Sequence, residues 1–244
     1  LAQNPLRNMI GETIFAVSDN ESRPVYTGAL FECSGGKLSI VTVDGYRLAL
    51  RRESLEGPTE EIESFIVPGT ALSDVEKICA DVEDPVQIHV GAKHISFSIG
   101  DTVLVSRRLE GEFLNYRKSI ADSFAFTVLA ERSELYRVAD RVSLIIDAKT
   151  KNPLRCTIRD EEILFNCVTP LGKADDVCAV EGSGNGLEIG FNNRYLLDAV
   201  KAAPAEKLRL CFNTGSTPCI IKPESEEDDS FLYMILPVRL RAGD

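Results

Sequence analysis

The chain has 244 residues, 44% of them apolar and 27% charged, with a formal net charge of −11. That is enough apolar sequence for one large core or two ordinary ones. No apolar run approaches the length needed to span a bilayer, and an acidic chain is repelled by nucleic acid unless basic residues gather on a local surface.

The chain opens "LAQNPLRNMIGE", without Met or a visible signal peptide, and reads as a fragment of a longer product. "NPLRNMIGETIFAVS" (4–18) has apolar residues at helical spacing, with Asn4 as N-cap and Pro5 in the first turn. "GALFECSGGKLSIVTV" (28–43) follows as a strand pair. Asp44-Gly45 then predicts a type I′ hairpin, because that turn needs positive φ and Asp-Gly supplies it. The return strand carries Tyr46 and Arg47 beside Leu48 and Leu50. On these residues alone, Tyr46 and Arg47 are either the wet face of an ordinary strand or the wall of a site. "FIVPGTALSDVEKI" (65–78) reads strand, break, helix, with Leu72, Val75 and Ile78 on one face. "VQIHV" (86–90) and "TVLVSRRLEGEF" (102–113) complete this half as strands.

The same order then recurs. "SELYRVADRVSLIID" (133–147) reads as a helix and "RCTIRDEEILFNCV" (155–168) as a strand pair. "EIGFNNRYLLDAVKA" (188–202) is strand, break, helix, with Leu196, Leu197 and Val200 in phase. "LRLCF" (208–212) and "FLYMILPVRL" (231–240) are the last strands, the second reached through a solvated acidic loop, "PESEEDDS" (223–230). Lys37-Leu38 and Glu162-Ile163 hold equivalent places in the two copies. The economical reading is an α+β chain of two tandem copies of one domain, 1–122 and 123–244, with a boundary near Ile120 to Ser123.

No reaction centre assembles from the residues. The seven cysteines, Cys33, Cys79, Cys156, Cys167, Cys178, Cys211 and Cys219, are odd in number and lack a CxxC pair. Buried free thiols in a reducing cytoplasm account for them. His89 and His94 have no third ligand in phase, so neither a metal nor any other cofactor is expected. "EGSGNG" (181–186) precedes a strand, whereas a phosphate cradle must lead into a helix. No nucleophile elbow or HExxH occurs. Three classes stay open on this basis: a binding module, a hydrolase using carboxylates in an interdomain cleft, and a purely structural repeat.

Five stretches carry a family resemblance: "VDGYRLAL" (43–50), "LEGEFLNYRKSI" (109–120), "RVSLI" (141–145), "IGFNNRYLLDAV" (189–200) and "YMILPVRL" (233–240). In this order and spacing the chain resembles the bacterial DNA sliding clamp, the beta subunit of DNA polymerase III. Members have three similar domains, each with antiparallel sheets packed on two amphipathic helices, and this sequence matches the second and third only. The resemblance implies a non-catalytic processivity factor of DNA replication, located in the cytoplasm and not bound to membrane. Its full-length parent would be a head-to-tail homodimer encircling double-stranded DNA. This piece, lacking the first domain, is expected to be monomeric.

The resemblance also implies a pocket between the two domains that takes linear peptide motifs of the replicative polymerase, the clamp loader and repair proteins. The matching positions are Tyr26, Val43, Gly45, Tyr46, Arg47, Leu48, Leu114, Lys118, Ser119, Asn192 and Tyr195, followed by Met234, Ile235, Leu236, Pro237, Val238, Arg239 and Leu240. Leu48, Leu114, Met234, Leu236 and Val238 would form an apolar cleft, with Tyr46 and Arg47 as its rim. Pro237, which cannot donate to a ladder, would free the last residues to line the groove. Other members carry Thr, His, Pro, Arg and Val where this chain has Val43, Tyr46, Leu114, Lys118 and Ser119, which alters the polar edge. The terminal "RAGD" (241–244) runs past the usual last leucine and is expected to crowd the groove. Nonspecific DNA contacts in the ring lumen would fall to Arg7, Arg23, Lys77, Arg137, Arg141, Arg194 and Lys201. The bland alternative for that face is a solvated set of salt bridges with Glu131, Glu134 and Asp198.

Overall fold

A computed structural model describes residues 1–55, 62–147 and 152–240. The "RAGD" extension therefore lies outside the described residues. The chain divides into two compact units, Leu1–Asn115 and Tyr116 onward.

The first unit runs α1 (Gln3–Gly11), β1 (Gly28–Ser34), β2 (Lys37–Val43), β3 (Arg47–Ser54), β4 (Ile62–Pro68), α2 (Gly69–Ile78), β5 (Val86–Val90), β6 (His94–Ile99) and β7 (Thr102–Arg107). Its strands lie side by side as β4-β1-β2-β3 and, separately, as β5-β6-β7, with every pairing antiparallel. The core forms where α1 and α2 lay one apolar stripe each on these strands. Leu6, Met9 and Ile10 from α1 and Leu72 and Val75 from α2 are buried against Phe31, Ile40, Val67 and Phe97.

The second unit runs β8 (Phe126–Glu131), α3 (Arg132–Ser143), β9 (Leu154–Ile158), β10 (Glu162–Thr169), β11 (Gly172–Ser183), β12 (Leu187–Phe191), α4 (Asn193–Ala202), β13 (Lys207–Phe212), β14 (Cys219–Pro223) and β15 (Phe231–Ile235). Its strand order is β12-β9-β10-β11-β8-β13-β14-β15, again antiparallel throughout. Leu135, Val138, Ala139 and Val142 of α3 repeat at i, i+3, i+4 and i+7, and α4 adds Leu196, Ala199 and Val200. The expected α+β class is thus what forms, and Lys37 and Glu162 each open a strand in their own copy.

Four local readings need correction. Asn4 does not cap α1; the helix begins at Gln3, and its first N–H groups find carbonyls in the loop before β5. Gln3 N donates to Asp84 O (2.9 Å) and Asn4 N to Val82 O (3.1 Å), so no side-chain cap is needed. Nor does α1 reach Ser18. It ends at Gly11, where the Thr13 hydroxyl takes the Met9 and Ile10 carbonyls and a 3₁₀ turn over Ile14–Ala16 follows. Likewise α3 stops at Ser143, whose hydroxyl donates to Ala139 O, and Leu144 beyond it is exposed. Ile78 at the end of α2 is also exposed, while Leu197 is only half-buried. The expectation also lacks β6, β8, β11 and β14, and the strands expected over 102–113 and 231–240 end at Arg107 and Ile235.

The cysteines are free; six are buried and Cys33 is half-buried. Burial pushes up the thiols of Cys33, Cys79, Cys156, Cys178, Cys211 and Cys219, that of Cys178 to about 12, where Glu134 and Asp176 add to the effect. None of these six is poised as a thiolate at neutral pH.

Two substitutions test this packing. A Cβ on Gly28 meets the Val67 carbonyl oxygen at 2.3 Å across the β1–β4 pair, so Gly28→Ala is expected to cost about 1–3 kcal/mol in a denaturant melt. Thr42, fully buried, donates its hydroxyl to Thr13 O at 2.6 Å. Thr42→Val removes this bond while Thr13 O keeps the Ala16 N–H at 3.1 Å, and is expected to lower stability by about 0.5–1.5 kcal/mol in the same assay.

Candidate functional site

In the first unit the candidate surface is built on the β2–β3 hairpin. Val43 and Leu48 pair across its last rung and both are buried. The chain then reverses through Asp44-Gly45-Tyr46-Arg47. Gly45 has φ +95°, and it alone in the turn is in the left-handed region. The Asp44 carboxylate Oδ1 accepts the N–H of Tyr46 (2.8 Å) and of Arg47 (3.0 Å), and Asp44 N donates to Arg47 O (3.2 Å). The turn is therefore centred on Gly45-Tyr46, not on Asp44-Gly45, and it is not type I′. Asp44 supplies an acceptor instead of a positive φ.

That acceptor also governs Arg47. Its side chain is 7% exposed, its Nε donates to Asp44 Oδ2 at 2.9 Å, and its guanidinium lies 5.4 Å from the Phe15 ring centroid. Arg47 is thus neither a wet strand face nor a free rim; it is a buried brace under the turn. Tyr46 is 61% exposed. Beside it is a depression of about 380 Å³, lined by Asp44, Gly45 and Tyr46 together with Asn20, Arg23 and Tyr26. Tyr26 sits in a 3₁₀ turn, Pro24–Thr27, and packs edge-on against Phe113 with centroids 5.6 Å apart. Asn20 is fixed by its own loop, accepting the Ser22 N–H at 3.0 Å. Leu114 is exposed.

In the second unit a depression of about 550 Å³ is lined by Ile146, Asn192, Asn193, Arg194, Tyr195 and Val238, among others. Asn192 is the N-cap of α4, and its Oδ1 accepts the Arg194 N–H at 3.0 Å. Met234 and Ile235 are buried strand residues, Leu236 and Pro237 are half-buried, and Arg239 is exposed. The tail after Pro237 is not left free. Val238 N donates to Gly190 O at 2.7 Å, forming an isolated bridge on β12. Gly190 permits this approach, since a Cβ there would lie 2.6 Å from Leu240 Cδ2 and 2.8 Å from Val238 O. Val238 nevertheless keeps 36% of its surface open beside Tyr195. Lys118 and Ser119 are exposed in the turn Tyr116–Ser119 and line neither depression.

The structure thus gathers Arg23, Tyr26, Gly45 and Tyr46 on one surface, and Asn192, Arg194, Tyr195 and Val238 on another. Asn20 and Ile146 were missed by sequence reasoning. The run "SDNESRP" does carry a turn signal that marks the first of them.

Four of the seven candidate DNA-facing cations are already paired. Lys77 meets Asp74 (3.4 Å), Arg137 meets Glu134, Arg141 meets Asp176 (2.6 Å) and Arg194 meets Asp198 (3.7 Å). The hydrogen bond from Arg141, with the Val177 N–H, holds the Asp176 carboxyl below its usual range. Arg7, Arg23 and Lys201 are exposed and have no carboxylate partner among the described residues. Also among the described residues, no group of three metal-ligating side chains comes together. Of "EGSGNG", residues 181–183 end β11 and 184–186 form the turn into β12, with Asn185 and Gly186 at positive φ and no helix behind it.

Comparison with known proteins gives one answer along the whole chain. Residues 1–115 match the model of the DNA polymerase III beta subunit, central domain, and residues 119–239 match that of its C-terminal domain. The beta sliding clamp of Staphylococcus aureus is 31% identical over 241 residues, 98% of this chain and 63% of that protein. Among solved structures, the DNA polymerase sliding clamp of Bacillus subtilis superposes with a TM-score of 0.94 at 27% identity, covering 99% of this chain and 64% of that one. The Pseudomonas aeruginosa sliding clamp, solved bound to griselimycin, gives 0.91 at 26%, covering 98% and 64%. The chain spans less than two thirds of the length of these relatives. It belongs to the bacterial DNA polymerase III beta subunit family, the sliding clamps, and consists of that family's central and C-terminal domains.

Proposed function

We propose that the chain is a segment of a non-catalytic processivity clamp, a cytoplasmic protein that holds replication proteins on double-stranded DNA. The observation that carries this reading is the match of both domain models, in order, across the chain. The two depressions lie at positions where the family pattern expects peptide contacts. A linear peptide with leucine and phenylalanine side chains suits them, since each combines an exposed apolar group, Tyr46 or Val238, with hydrogen-bonding Asn residues. Polymerase, clamp loader and repair proteins would each present such a peptide. Lys118 lies on neither surface, so its point charge acts on a peptide, if at all, from outside the contact.

DNA contact follows a different rule. The net charge of −11 and the four paired cations leave little positive surface, so phosphate binding by this segment is weak and steeply salt-dependent. Closure of a ring in the full-length homodimer would supply what affinity does not. The central and C-terminal domains by themselves are expected to be monomeric.

Calorimetric titration with a short Leu/Phe clamp-binding peptide tests recruitment. Tyr46→Ala and Val238→Asp, both at exposed positions, are each expected to raise Kd by about tenfold or more. Absence of binding by the folded parent protein removes the recruitment reading while leaving the family assignment intact. For DNA, Asp176→Asn releases Arg141 from its carboxylate. Anisotropy titrations of duplex DNA at several salt concentrations are expected to show tighter binding at low salt, with a slope steeper by about 0.9. An unchanged slope means that Arg141 does not face phosphate.

A further inference from the structure

β3 turns two arginines toward the core side of its sheet. Side chains alternate along a strand, so Arg47, Ala49, Arg51 and Glu53 share one face. On β2 the residues opposite the last three are Thr42, Ile40 and Leu38, and the two apolar ones belong to the core of the first unit. This is the face against which α1 and the 3₁₀ turn Ile14–Ala16 lie.

The chain leaving α1 crosses that face in the direction opposite to β3 and is pinned at three places. Arg51 Nε donates to Glu12 Oε2 at 2.6 Å. One residue on, Thr13 O accepts the hydroxyl of Thr42, which stands opposite Ala49. Two residues further, the Arg47 guanidinium lies over the Phe15 ring. Residues 12, 13 and 15 thus meet the hairpin level with strand positions 51, 49 and 47 in turn. The last pin is the brace of the Asp44 turn, whose carboxylate holds the N–H groups of Tyr46 and Arg47.

Stability does not account for the first pin. Burial lifts the Glu12 carboxyl above its ordinary value although Arg51 draws it down, and Glu53 adds to the rise. A carboxyl raised on folding opposes the folded state once it is ionised. Nor does Arg51 depend on Glu12 alone, since its guanidinium also meets Glu53 and the Arg52 carbonyl. What the contact with Glu12 adds is a fixed place for the end of α1 along β3.

We infer that residues 12–16 are a strap across β3, and that Glu12 and Arg51 are positioning residues for the Tyr46 surface, acting through Phe15 and Arg47. Their effect on binding rests on the reading of that surface as a peptide site; their effect on the turn does not. With the strap held, Phe15 stays beneath Arg47, and Arg47 keeps the Asp44 carboxylate where it accepts both turn amides. Released at Glu12, the 3₁₀ turn shifts and the brace loosens.

Glu12→Ala removes the first pin and leaves Arg51 its other two acceptors, whereas Glu12→Gln keeps an oxygen for Arg51 Nε. Amide hydrogen exchange is followed at Tyr46 and Arg47, with Leu30 and Val41 in the same unit and Leu210 in the other as references. Glu12→Ala is expected to speed exchange at Tyr46 and Arg47 by about threefold or more while the references hold, and Glu12→Gln to stay near the parent. In a Phe15→Leu background, where the strap is already cut, Glu12→Ala is expected to add nothing. Exchange that Glu12→Ala leaves unchanged overturns the inference. So does a rise shared by Leu30 and Val41, which makes Glu12 a structural residue only, and so does an effect that survives Phe15→Leu. In a peptide titration, Glu12→Ala is expected to raise Kd by about threefold or more. An unchanged Kd in a protein that binds overturns the positioning role; a parent protein that binds no peptide removes the recruitment reading, and exchange then decides the strap by itself.

Discussion

The first backbone N–H of α1 donates to Asp84 and that of α3 to Glu206, in each case just before a strand of the same unit, β5 or β13. This bond fixes where each helix starts along the sheet. Neither helix would persist alone, since nine and twelve residues are too few for a stable helix in water. Once pinned, the stripe of Leu6, Met9 and Ile10, or of Leu135, Val138 and Val142, comes down on the sheet and is buried. The absence of side-chain caps on both helices follows, because the tertiary contact has already satisfied the end groups.

Charge is used in two different ways. Asp44 and Arg47 form a buried pair in which both partners have further work: the carboxylate closes the turn, and the guanidinium rests on Phe15. Losing one partner of such a pair leaves a buried charge uncompensated. The pairs on α2, α3 and α4 are surface pairs, each contributing roughly 0–1 kcal/mol, and their main effect is on the field. Glu134, Asp176 and Asp198 cancel Arg137, Arg141 and Arg194 where they stand. An acidic body with locally neutralised helices presents little net positive field to an anion.

Strand limits were legible where the signal is local. "VQIHV" is β5 from end to end, and "KLSIVTV" is β2. β8 escaped because "FTVLAE" lies between two strands and lacks a clean alternation; Val128 and Ala130 are buried, while Phe126, Thr127 and Leu129 between them are half-buried. Helix ends were misplaced where a hydroxyl decides them, as Thr13 and Ser143 do. In the site, Tyr46 was legible from its place next to Gly45. Arg47 was not, because its burial depends on Phe15, brought beneath the turn only by tertiary packing. Val238 was named, but its bridge to Gly190 was not legible, because it joins segments distant in sequence.

The repeat itself shows what distinguishes the two copies. The counterpart of the Asp44–Arg47 turn is Thr169–Gly172, between β10 and β11. There the Thr169 hydroxyl accepts the Leu171 N–H at 3.1 Å, as the Asp44 carboxylate accepts that of Tyr46. Both turns thrust a large side chain outward, Leu171 and Tyr46 respectively. A hydroxyl, however, carries no charge to hold an arginine, and the fourth position is Gly172 instead, at φ +144°. One carboxylate in place of one hydroxyl thus gives the first copy a braced turn with a polar depression beside it. The scaffold is common to both units, and the candidate site arises where the side-chain chemistry of a single turn departs from it.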